Sequence, residues 1–79
     1  MTSLNVYPNP AKENFTITLS NVSKANVIIY NTLGKIVYQD TINNGSVTIE
    51  NNRKFTSGIY MVKVITSTNK VYHSKLIMK

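Results

Sequence analysis

The chain has 79 residues and a net charge of +6, with no cysteine, one histidine and three carboxylates. That inventory excludes a disulfide scaffold and leaves a metal staple unconvincing, so the 42% hydrophobic content must supply the core unaided. One domain fits this length, and ordering it costs on the order of 100 kcal/mol in conformational entropy.

Taken in chain order, the dominant signal is an apolar period of two, and it predicts strands at about 4–7, 14–20, 25–31, 35–41, 46–50, 59–66 and 70–78. Pro8-Asn9-Pro10 ends the first strand, because neither proline can donate to a ladder and each holds its predecessor extended. Phe15, Ile17 and Leu19 alternate with Thr16, Thr18 and Ser20 in the second, a half-buried pattern. Polar turns follow at 21–24 and 31–34, and Asn44-Gly45 is the strongest hairpin signal, since both residues tolerate the positive φ of a type I′ turn. Val47 and Ile49 alternate with Ser46, Thr48 and Glu50. After the longest loop, 51–58, Tyr60, Val62 and Val64 share one face while Lys63 marks the other. No window carries a helical apolar stripe. Seven short strands at this spacing predict an all-β fold, a seven-stranded immunoglobulin-like Greek-key β-sandwich, with an up-and-down barrel or an open sheet as the alternatives. Tyr60, near the start of a strand after a crossing loop, is placed either as a tyrosine corner or as plain core.

The charge is uneven. Residues 1–52 balance Lys12, Lys24 and Lys35 against Glu13, Asp40 and Glu50. Residues 53–79 carry Arg53, Lys54, Lys63, Lys70, Lys75 and Lys79 with no acid. An acid-free third suits an acidic partner, while lysines also blunt edge strands and keep a domain soluble. The first five residues lack the basic region and apolar stretch of a signal peptide, so an export signal is expected elsewhere. Met1 is expected to be an added start on a domain excised from a larger secreted protein.

Catalysis fails on inventory. His73 is the only base suited to neutral pH, and Ser74 beside it in a strand points to the opposite face. Gly34, Gly45 and Gly58 stand singly, so no phosphate loop exists, and no cofactor or small-molecule substrate is expected. Nucleic-acid binding is not expected either, because only Arg53 and Lys54 are adjacent and Tyr60 belongs to an apolar face. Three Asn-X-Ser/Thr triplets, at Asn14, Asn21 and Asn44, fall in an asparagine-rich chain and are read as chance.

Several segments carry a family resemblance. Val6-Tyr7-Pro8-Asn9-Pro10-Ala11 resembles the opening signature of type A C-terminal sorting domains of the type IX secretion system of Bacteroidetes (the Por secretion system family). Val27 to Asn31 and Leu33-Gly34-Lys35-Ile36-Val37 resemble the family's central strand and its turn. Ser57 to Val64 resembles the late motif, and Lys75-Leu76-Ile77-Met78-Lys79 the terminal one. Together they span nearly the whole chain in the family's order.

The resemblance implies a non-catalytic sorting signal that directs cargo from the periplasm through the outer-membrane translocon. Its implied partners are the translocon, its shuttle proteins and a sortase-like surface protease that removes the domain, cutting at or before Thr2-Ser3. The cargo is then on the outer-membrane surface or secreted. It also implies that Lys75, Leu76, Ile77, Met78 and Lys79 carry recognition, while Tyr7, Pro8, Asn9, Pro10, Gly34, Gly58 and Tyr60 are structural. The domain is expected to be a monomer. The competing reading is an adhesive or carbohydrate-binding β-sandwich module, which asks for an exposed row of tyrosines on one sheet face. A structural spacer is the third.

Overall fold

The computed structural model describes residues 3–7, 13–50 and 55–79. Seven strands follow one another: β1 (Leu4–Tyr7), β2 (Phe15–Leu19), β3 (Ala25–Tyr30), β4 (Ile36–Ile42), β5 (Ser46–Ile49), β6 (Gly58–Thr66) and β7 (Val71–Met78). Each lies within a residue or two of its predicted bounds. They form two antiparallel sheets, one ordered β1-β2-β5 and the other β4-β3-β6-β7, the immunoglobulin-like sandwich that the alternation predicts.

Alternation builds the core directly. Phe15, Ile17 and Leu19 point inward from β2, Val27 and Ile29 from β3, Val62 and Val64 from β6, and Leu76 and Met78 from β7. Fully burying each such side chain contributes about 1.5–3 kcal/mol.

Turn chemistry sets the connections. The chain crosses between the sheets at the two-residue turn Asn44-Gly45, with φ of 55° and 82°, so both predicted positive angles are present. The Gly45 amide donates to the Ser23 carbonyl and its carbonyl accepts from the Leu19 amide, fixing the turn to the β2–β3 connection. In the β3–β4 turn, the Asn31 side-chain oxygen accepts from the amides of Leu33 and Lys35, at 2.9 and 3.0 Å. The register slips by one residue between Ile29 and Tyr30, a β-bulge that opposes Tyr30 to Ile36.

Phe55 is a core residue that lies outside any strand. Its ring meets Phe15, Tyr38 and Tyr60 edge-on, with centroids 5.6, 5.8 and 5.4 Å apart. The Tyr60 hydroxyl donates to the Thr56 carbonyl four residues upstream at 2.8 Å, which makes Tyr60 a tyrosine corner. It is also buried core, so both sequence readings of Tyr60 hold at once.

Candidate functional site

The terminal motif divides by strand geometry. Along β7, side chains alternate between the core and the outer face of the four-stranded sheet. Leu76 and Met78 are buried in the core, whereas Lys75 and Lys79 are exposed and Ile77 is half-buried on the outside. β7 is an edge strand of its sheet, hydrogen-bonded along β6 from Gly58 opposite Met78 to Ile65 opposite Val71.

Register identifies the outward neighbours of Lys75 and Ile77. Ile77 faces Ile59 across the ladder. Lys75 faces Met61, which faces Tyr30, which faces Ile36. Ile36, Ile59 and Met61 are 46%, 48% and 41% exposed, so this end of the outer face is an apolar surface in contact with solvent. A groove of about 350 Å³ runs over it, lined by Tyr30, Ile59 and Met61 on the sheet and by Asn31, Thr32 and Gly34 of the β3–β4 turn. Gly34 holds φ at +83°, and no heavy atom lies within 4 Å of where its Cβ would stand, so its backbone leaves the groove rim open.

The remaining sequence-predicted residues distribute around this end. Gly58 begins β6 opposite Met78, and Tyr60 contributes to the groove wall from beneath. Tyr7 stands on the outer face of the other sheet, 52% exposed and opposite Thr16. Pro8, Asn9 and Pro10 lie outside the described residues. Thus Gly34, Gly58, Tyr60 and the terminal motif converge at one end of the four-stranded sheet, while Tyr7 does not join them.

The apolar outward residues of β6 were missed by a reading that used period two alone. The available signal was its failure: Ile59-Tyr60-Met61-Val62 is apolar on both faces of a strand with one buried side.

Electrostatics on this face has one sign. The next row carries Lys63 opposite His73, and its outward positions hold no carboxylate among the described residues. Asp40 sits on β4, at the opposite edge of the sheet from His73, where its carboxylate accepts from the Tyr38 hydroxyl at 3.2 Å. Desolvation, and then the hydrogen bond and negative charge of Asp40, push the Tyr38 phenol above its ordinary value of 10.0. Glu13 and Glu50 flank strands of the other sheet. Among the described residues, no three His, Cys, Asp or Glu side chains come together as metal ligands.

The tyrosines form no row. Tyr60 is buried, Tyr38 and Tyr72 pack against the core, Tyr7 belongs to one outer face and Tyr30 to the other. The aromatic platform that the adhesive reading needs is not assembled by the described strands.

A family described as the secretion system C-terminal sorting domain matches residues 5–79. An ulvan lyase of Nonlabens ulvanivorans is 46% identical over 76 residues, covering 96% of the chain, and an endo-acting ulvan lyase of Formosa agariphila is 36% identical over 74 residues, covering 94%. The chain spans only 14% of the length of either lyase. Among solved structures, PorZ, an essential bacterial surface component of the type-IX secretion system of Porphyromonas gingivalis, superposes with a TM-score of 0.82. That match has 23% sequence identity and covers 98% of this chain and 11% of PorZ, and it shows a shared sandwich fold.

Proposed function

The chain belongs to the family of secretion system C-terminal sorting domains, those of the type IX system, and from that premise we propose how it serves a cargo. The family is non-catalytic, and its members are sorting signals for secretion across the outer membrane to the cell surface or beyond. The single observation that carries the reading is a family match running from residue 5 to residue 79.

In the proposed role the chain is the C-terminal sorting domain of a larger secreted protein. Support comes from the two lyases, in which the matching region is a small part of a longer chain. Whatever activity the cargo has resides elsewhere in it, in keeping with a non-catalytic family. The cargo passes through the periplasm, the translocon and its shuttle proteins engage the folded domain as a monomer, and a sortase-like surface protease then removes it.

Within the terminal motif, the proposed division of labour follows burial. Leu76 and Met78 hold β7 to the core, and Lys75, Ile77 and Lys79 meet the machinery. Tyr7, Pro8, Asn9, Pro10, Gly34, Gly58 and Tyr60 keep structural duties in this reading.

The test is a secretion assay in a type IX-competent bacterium, using a fluorescent protein with an export signal and ending in residues 1–79. Truncating Lys75 to Lys79 is a poor control, since it also strips Leu76 and Met78 from the core. The informative control replaces only exposed residues, Lys75→Ala with Lys79→Ala. Reporter reaching the medium or surface, and retained inside by the double variant, supports the reading. Wild-type reporter trapped in the periplasm with the domain folded would sink it.

A further inference from the structure

An outward sheet face exposed to water ordinarily carries polar side chains. The end of the four-stranded sheet next to the β3–β4 turn obeys the opposite rule on its outside. Ile59 pairs with Ile77, and the adjoining row runs Ile36, Tyr30, Met61, Lys75. These residues come from four strands, so no single motif in the sequence contains them. Tyr30, Ile59 and Met61 among them line a concave site of about 350 Å³ with the β3–β4 turn, and contiguous apolar surface of this kind marks interaction sites.

We infer that this composite face, rather than the terminal motif alone, is the seat of the secretion machinery. The occupant is a protein surface that presents apolar side chains flanked by carboxylates. The inference rests on the sorting reading and deepens it. Charge argues for such a partner: Lys75 borders the apolar rows, Lys63 and His73 lie one row beyond, and no described acid shares the outer face.

The same charges argue against a second copy of the chain as occupant. Stacking this face on itself sets the Lys63 and Lys75 rows of two copies on one shared surface with no described acid to offset them, and like charges in close opposition destabilise. A lipid surface fits less well than a protein, because Tyr30, Ile59 and Met61 line a groove instead of a protruding wedge, with Leu33 of the turn projecting at 91% exposure.

The experiment uses the same reporter ending in the full chain. One variant carries Ile59→Thr with Met61→Thr, a second carries Lys75→Glu with Lys79→Glu, and a third carries Thr18→Ala on the outer face of the other sheet. The first two are expected to lower secreted reporter by roughly tenfold or more, as loss of a central interface cluster does. The third is expected to secrete like wild type, with purified domains melting within a few degrees of one another. Secretion of the first two at the wild-type level would overturn the inference while leaving the sorting reading intact. Should the threonine pair fail to fold, Ile36→Thr decides, since Ile36 is 46% exposed, opposes Tyr30 from β4 and lies outside the terminal motif. Lost secretion then supports the composite face, and wild-type secretion overturns it in favour of the terminal motif alone. Failure of the wild-type reporter to leave the periplasm removes the sorting reading itself, and with it this inference. Two further measurements name other occupants. A Met61-dependent dimer in sedimentation velocity, or Met61-dependent flotation with phosphatidylglycerol vesicles, replaces the acidic protein partner with a second copy or a membrane.

Discussion

The two sheets share one core and present opposite outer faces. Outside the three-stranded sheet stand Asn5, Thr16, Thr18, Ser46 and Thr48, joined by Tyr7, with the Thr16 and Thr48 hydroxyls hydrogen-bonded at 3.1 Å. Outside the four-stranded sheet stand Ile36, Ile59, Met61 and Val71, all more than 40% exposed, together with Lys63 and Lys75, while the exposed polar residues Asn26, Gln39 and Thr41 lie away from the Ile36–Met61 end. The strands of the first sheet run four or five residues and those of the second six to nine, and both sheets give inward side chains to the one core. Folding demands nothing of the second face that the first lacks, so its apolar and cationic character calls for a reason outside stability. The contrast teaches that one face is solvated and the other is kept ready for contact.

The comparison breaks first if the core is not common to both sheets. Phe15→Ala in the three-stranded sheet and Leu76→Ala in the four-stranded sheet each empty a fully buried site. Losses of about 3–5 and about 2–5 kcal/mol are expected. Domains of this size hold about 4–12 kcal/mol in total, so either variant should lower the urea midpoint severely or leave no folded state. A large loss at one site and a small one at the other would mean that the sheets do not fold as one unit.

The crossing between the sheets gives the next effect. Gly45→Ala places a Cβ on a residue with φ of +82°, in a turn bonded to both Ser23 and Leu19. A cost of about 1–2 kcal/mol is expected from equilibrium unfolding. Tyr60→Phe should cost about 1 kcal/mol, because it removes the hydroxyl that satisfies the Thr56 carbonyl and leaves the ring in place. An unchanged midpoint for Tyr60→Phe would show that the corner bond adds nothing beyond the packing of the ring.

The comparison sharpens at the outer faces themselves. Met61→Thr and Thr18→Ala should each change stability by no more than about 0.5 kcal/mol, as surface substitutions do. Equal, small effects on folding and unequal effects on secretion are the signature of a face maintained for a partner. A Met61→Thr domain that loses several kcal/mol would instead make the apolar rows part of the fold's own support.

The sequence disclosed the fold far better than the face. Period two and the Asn44-Gly45 turn are local signals with one cheap structural solution each, and the tyrosine near the start of β6 is a local signal whose two readings both hold. The split of Lys75 to Lys79 into buried Leu76 and Met78 and outward Lys75, Ile77 and Lys79 was likewise readable from alternation. Phe55 was not, because a loop residue has no period to reveal which way it points. Its burial depends on Phe15, Tyr38 and Tyr60 arriving from three different strands. The composite outer face was hidden for a related reason. Tyr30, Ile36, Met61 and Lys75 become neighbours only through the register of four strands, and the bulge that opposes Tyr30 to Ile36 has no signature in the order of residues.

The smallest effect tests the inner face of the four-stranded sheet at its edge strand. Tyr38 packs against the core from β4, with its hydroxyl on Asp40, and its phenol is held above the ordinary 10.0, chiefly by desolvation and then by Asp40. Below about pH 10, folded and unfolded chains both keep the proton, and the contribution of Tyr38 is fully present. Above that, the unfolded chain releases its proton first, so stability should fall as pH rises toward the folded value. Tyr38→Phe cannot ionise, and its alkaline limb should be flatter than that of the wild type when urea midpoints are compared from pH 8 to pH 11. Parallel limbs would mean that the phenol is as well solvated in the folded domain as in the unfolded chain. The β4 edge would then be open to water on its inner side, and the division into a buried interior and two distinct outer faces would stop short of that strand.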